Sequence, residues 1–138
     1  LSPNAKSSVA EALLEYLVLV LPVAFYVCLE AYHKHDFDFF YRSAEWAIAT
    51  IFLMFQGSYL FVKHSISHER RLSETRVALL ALLALTVVVT SAMNALDSMH
   101  AESDGKVVFR MVLFTVTSLL FLVLVASSKY KNGHIKHG

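Results

Sequence analysis

Five ionisable residues stand at the edges of long apolar runs, where charge is costly and seldom faces lipid. Glu15 and Glu30 flank the uncharged run 16–29, Glu45 precedes 46–62, Asp97 follows 77–96 and Arg110 precedes 111–128. Glu30, Glu45, Asp97 and Arg110 fall within about one helical turn of the same membrane surface. Three acids around one arginine read as an ion-pair cluster with surplus negative charge. Such a cluster either clamps helix ends together or, repeated around an oligomer axis, forms a ring that concentrates cations and excludes anions. With Tyr26, Gln56 and Asn94 inside the runs, the candidate intramembrane lining is Glu15, Tyr26, Glu30, Glu45, Gln56, Asn94, Asp97 and Arg110.

A second set is basic. Lys63, His64, His68, Arg70, Arg71, Arg76, Lys129 and Lys131 can form one patch beneath the bilayer. Basic residues at cytoplasmic span ends fix topology and touch anionic headgroups. Around an oligomer axis, the paired arginines would also suit phosphate, because the guanidinium fork matches its oxygens. The expected partners of this face are a nucleotide, nucleic acid or an acidic cytosolic protein.

Other chemistry is poorly represented. His64 and His68, four apart, share a helical face, but no third metal ligand stands at fixed spacing. A haem-bearing bundle needs paired histidines buried within facing spans, whereas His33, His35, His64, His68 and His100 lie at or beyond span ends. No nucleophile with a paired base, phosphate loop, dinucleotide fingerprint or zinc signature occurs. The chain therefore reads as a non-enzyme with no cofactor and no metal, and a b-type cytochrome is disfavoured. Cys28 is the single cysteine, so no internal disulfide forms.

The elements that must position these residues follow from the absence of charge. Hydrophobic residues make up 57% of the 138, charged residues 17%, and mean hydropathy is +0.55. The four uncharged runs hold 14, 17, 20 and 18 residues, together 69, half the chain. At ~1.5 Å per residue against a hydrocarbon core of ~30 Å, runs of this order are spanning helices. The expected fold is an all-α membrane protein, an antiparallel bundle of four transmembrane helices. Residues 1–138 form one four-span domain, with spans at about 11–32, 44–63, 76–97 and 107–128, a cytoplasmic loop at 64–75 and a cytoplasmic tail at 129–138. No room remains for a soluble catalytic or DNA-binding domain. The first run lacks a basic leader region and a small-residue cleavage site, and so reads as a retained span.

Orientation comes from the basic residues. The side holding both termini carries Lys6, Lys63, Arg70, Arg71, Arg76, Lys129, Lys131 and Lys136; the other carries only Lys34, Arg42, Lys106 and Arg110. The positive-inside rule puts both termini in the cytoplasm, and the expected location is a bacterial cytoplasmic membrane. The outer connection 33–42 is rich in aromatics, and Phe37, Phe39, Phe40, Tyr41 and Trp46 read as an interfacial belt. The inner connection is expected to extend the second helix, with Ser73 capping the third and Glu74 in its first turn.

Each predicted helix has one polar stripe at 100° per residue. On the first, Glu11, Glu15, Pro22, Tyr26, Glu30 and His33 lie opposite Val20, Ala24, Val27 and Ala31. The second carries Arg42, Glu45, Ala49, Gln56, Tyr59 and Lys63, and the third Thr86, Thr90, Asn94 and Asp97. The fourth carries Arg110, Phe114, Thr117, Phe121 and Ser128. Such stripes should face a common interior or a subunit interface, where they either hydrogen-bond across helices or line a pathway. The first run covers only ~21 Å, so Glu15, Glu30 or both are drawn to the hydrocarbon edge.

In span count and size, though in no motif, the chain resembles the small four-span membrane components of bacterial anti-phage defence systems. That resemblance implies a sensor or a membrane-permeabilising effector. Two readings stand: a homo-oligomeric channel or membrane effector, and a non-conducting membrane anchor or sensor that recruits a cytosolic protein. A small transporter is disfavoured, because no inverted repeat is visible.

Overall fold

A computed structural model describes residues 3–66, 74–100 and 103–136, with side chains described except at 64–66 and 131–136. Every regular element in these residues is helical: α1 (Pro3–Lys34), α2 (Asp38–Arg42), α3 (Glu45–Ile66), α4 (Glu74–His100) and α5 (Asp104–Lys136). Four of the five are long and apolar enough to cross a membrane, which marks the chain as an integral membrane protein. The helices overrun the uncharged runs at both ends. α1 has 32 residues, or about 48 Å at ~1.5 Å per residue, so its short apolar stretch is embedded in a longer rod.

α3 is the hub. It packs most extensively on α5 and then on α4, while α1 leans chiefly on α5. α4 and α5 are consecutive yet touch little, leaving a cleft between them. The buried core runs through Ala12, Val20 and Val27 of α1, Trp46, Ala49, Leu53 and Leu60 of α3, and Phe121 and Val125 of α5. Small residues at these crossings let backbones approach closely, the usual source of helix association in lipid. At Gly57 the approach is so close that an added Cβ would lie 2.9 Å from Cδ2 of Phe121.

The long helices differ in which face they bury, and one expected belt residue is corrected. α1 buries Val20, Val27 and Ala31, on the side opposite its polar stripe, together with Ala12 at the stripe's edge, while Tyr26 on the stripe remains 54% exposed. Small side chains allow closer packing than a stripe broken by Pro22 and three glutamates. By contrast, α5 turns its stripe inward, burying Arg110, Thr117, Phe121 and Ser128. Trp46 is no belt residue. It is 4% exposed, its indole Nε1 donates to the Phe40 carbonyl at 2.6 Å, and its ring packs on Phe40 and Phe114. Satisfying that one polar atom internally lets the bicyclic ring enter the core. Phe37 and Tyr41 do stay exposed.

The connection after α1 is tightly built. His35 has φ 54°, its N–H donates to the Tyr32 carbonyl, and the Asp36 N–H donates to the Ala31 carbonyl, the bonding pattern of a Schellman C-cap. Asp36 Oδ1 then accepts the Asp38 N–H at 3.0 Å and starts α2, a short helix that apolar periodicity does not reveal. Glu74 opens α4 as expected, whereas Ser73 lies outside the described residues.

Within the long helices, hydroxyls turn back on their own backbone. Thr50, Thr86, Thr90, Thr115 and Ser118 each donate to the carbonyl four residues earlier. This internal bonding lets Thr86 and Thr115 occupy exposed positions on an apolar helix without a second helix as partner.

Candidate functional site

Polar side chains gather at two places about 28 Å apart along α5, one around Arg110 and one around Lys129. At the first, Asn94 and Ser98 stand four apart on α4 and so share a face toward the start of α5. Arg110 is 1% exposed there. Its Nε donates to Asn94 Oδ1 at 2.9 Å, Nη1 to the Arg42 carbonyl at 2.7 Å, and Nη2 to Ser98 Oγ. The Asn94 amide donates onward to the Lys106 carbonyl at 3.2 Å. One planar guanidinium thus joins α4, α5 and the end of α2. The Arg42 side chain adds a bond to Asp104 at 3.2 Å across the exposed rim.

The expected three-acid cluster around Arg110 is not what forms. Glu30 pairs with Lys34 at 3.2 Å on its own helix, and Glu45 accepts from Ser43 Oγ at the start of α3. Local partners one turn or two residues away reach these carboxylates first. Asp97 is exposed and lines the cleft between α4 and α5 with Asn94 and Lys106.

At the second place, Lys129 of α5 reaches α1. Its Nζ lies 2.6 Å from Glu15 Oε1 and 3.2 Å from Glu11 Oε2. Nearby, Tyr16 donates to Ser118 Oγ at 3.0 Å and ties the same two helices. The other oxygen of Glu15, Oε2, is buried with no hydrogen-bond partner. Glu15 also lines a recess of about 200 Å³ between α1 and α3, with Leu14, Val18, Leu19 and Gln56. Two predicted lining residues therefore meet inside apolar walls. Gln56 lies about 10 Å along α3 from Lys63, deep within the span.

The basic face is only partly described. Lys63 and Arg76 are exposed, with Lys63 Nζ 5.8 Å from the Tyr59 ring centroid. Lys129 does not contribute a free charge to that face, because it is engaged by two glutamates. His68, Arg70 and Arg71 lie outside the described residues, as do the side chains of His64 and Lys131. Among the described residues, no three His, Cys, Asp or Glu side chains gather as a metal site.

Sequence reading did not single out Ser98, Lys106, Tyr16 or Ser118. Ser98 had a usable signal, since it follows Asn94 by four. Tyr16 and Ser118 are 102 positions apart, and only the packing of α1 on α5 joins them. Comparison with protein-family models, curated proteins and solved structures finds no match.

Proposed function

We propose that the chain is a homo-oligomeric integral membrane protein of channel or membrane-perturbing type. It is an antiparallel four-helix bundle with both termini in the cytoplasm of a bacterial cell. The observation that carries this reading is the α1–α3 recess, lined by Glu15, whose Oε2 is buried with no donor, and by Gln56, deep in the span. A buried carboxylate oxygen without a donor can accept from or coordinate a cation. Glu11, Glu15 and Lys129 together leave one negative charge per chain, so copies around an axis would present an acidic ring. The exposed flank of α1 with Tyr26 would face a neighbouring copy, and the basic face around Lys63 and Arg76 would take an anionic ligand or partner. A role in anti-phage defence fits this arrangement.

Cation and anion flux through proteoliposomes tests the proposal. Wild type should conduct with cation preference, and Glu15→Gln should lose that preference severalfold. Absence of flux, together with a monomer in detergent, overturns it. The anchor or sensor reading draws on the clamps at Arg110 and Lys129, which join helices as a static scaffold would. Capture of a soluble partner by a non-conducting protein would support that second reading.

A further inference from the structure

The cleft between α4 and α5 lies beside Arg110 and takes no part in the channel proposal. It encloses about 440 Å³ and is lined by Thr90, Met93, Asn94 and Asp97 on one wall, and by Ser103, Gly105, Lys106 and Phe109 on the other. That volume falls in the range of small-molecule sites, roughly 300 to 1,000 Å³. The cleft exists because α4 leans on α3 rather than on α5.

Its chemistry is graded along the helix axis. Asp97, Ser103 and Lys106 crowd the mouth, near the ends of both helices, and Lys106 Nζ lies 3.4 Å from the Asp97 carbonyl. Asn94 comes next. Thr90 is about 10 Å deeper than Asp97 along α4, and its hydroxyl is already committed to the Thr86 carbonyl. The flanks at Met93 and Phe109 are apolar and open outward. Polarity therefore falls within the distance over which a bilayer passes from headgroup to acyl chain.

We propose that this cleft binds a zwitterionic phospholipid whose head carries a primary ammonium beside a phosphate. The Asp97 carboxylate accepts from the ammonium, Lys106 Nζ donates to the phosphate, and the first acyl carbons lie along Met93 and Phe109. Opposite charges at one mouth match a head of that kind better than an anionic one. A primary ammonium donates hydrogen bonds that a quaternary ammonium cannot. The apolar flanks select the lipid over its free head.

The test is lipid retention by delipidated, full-length protein in detergent, read by native mass spectrometry. Phosphatidylethanolamine, phosphatidylcholine and phosphatidylglycerol with identical acyl chains are offered in equal amounts. Ethanolamine lipid should be retained over the other two by about tenfold, the lower end of the scale of one charge-assisted hydrogen bond. Gly105→Trp should lower retention severalfold, because Gly105 lines the cleft and a Cβ added there meets no atom within 4 Å, so a bulky side chain can be placed at the wall without displacing packed atoms. Asp97→Asn, at an exposed position, should lower ethanolamine lipid to the level of the choline lipid, and its unchanged melting without lipid would show an intact fold. Soluble phosphoethanolamine at millimolar concentration should displace nothing. Equal retention of the three lipids, undiminished retention by Gly105→Trp or Asp97→Asn, or full displacement by the free head would each overturn the proposal.

Discussion

Arg110 and Lys129 stand near opposite ends of α5 and join it to different helices by different chemistry. Arg110 is fully buried and spreads donors over Asn94, Ser98 and the Arg42 carbonyl, all neutral oxygens. Lys129 is a partly accessible point charge held by two carboxylates of α1. A flat fork with fixed donor directions specifies where three separate segments must lie, whereas an ammonium accepts any arrangement of nearby oxygens. The Arg110 end is therefore set by geometry and the Lys129 end by charge. The same property of an ammonium leaves carboxylate oxygens without donors at both ends: Lys129 reaches only Oε1 of Glu15 and Lys34 only Oε1 of Glu30, and Oε2 of each is buried with no hydrogen-bond partner.

The largest expected effect comes from removing the fork. Arg110→Met strands three acceptors at once and should destabilise the protein by about 3 to 5 kcal/mol, measured as loss of folded protein in a detergent-denaturant titration. Lys129→Met should cost less, about 1 to 2 kcal/mol by the same measurement, because water reaches its partners. If the two losses were equal, the contrast between the ends would fail.

Conservative substitutions sharpen it. Arg110→Lys keeps the charge but cannot reach three directions, and should recover less than half of the Arg110→Met loss. Lys129→Arg should be tolerated within about 0.5 kcal/mol, since its two acceptors are carboxylates. At the crossing of α3 and α5 between the two ends, Gly57→Leu should cost about 1 to 3 kcal/mol by driving a side chain into Phe121. The smallest effect is local to the Arg110 end. His35→Gly relieves a left-handed residue and should stabilise by about 0.5 kcal/mol, seen as a slight rise in melting temperature.

Much of the chain was legible before any folding. The four runs without charge anticipated four long apolar helices, because burying peptide groups in hydrocarbon leaves a single segment no alternative to helix. The stripe of α5, for which a common interior and a subunit interface both stood open, is buried within the chain at Arg110, Thr117, Phe121 and Ser128. Helical periodicity also put Thr90, Asn94 and Asp97 on one face of α4, and all three line the cleft beside α5. For α1 it located two faces but left open whether the polar one meets a common interior or a subunit interface. In lipid, unlike water, apolar character does not distinguish inside from outside, and close fit decides. Trp46 was misread for a related reason: its place at a span end suggested the interface, yet the Phe40 carbonyl, brought round by α2, satisfies its N–H inside.

Partnerships of charge were the least legible. Sequence position put Glu30, Glu45, Asp97 and Arg110 at one depth, but depth is a single coordinate and a salt bridge requires three. Lys34 and Ser43 capture two of the acids because both are covalently close. Length, charge spacing and periodicity determined that this chain makes four membrane-length helices and where their polar stripes lie. Tertiary packing alone decided that Arg110 bridges α4 to α2, that Lys129 leaves the basic face for Glu11 and Glu15, and that α4 and α5 stand apart around a cleft. The physical reason is that helix formation is local, satisfied within four residues, whereas a buried charge takes whichever acceptors close packing brings within about 3 Å.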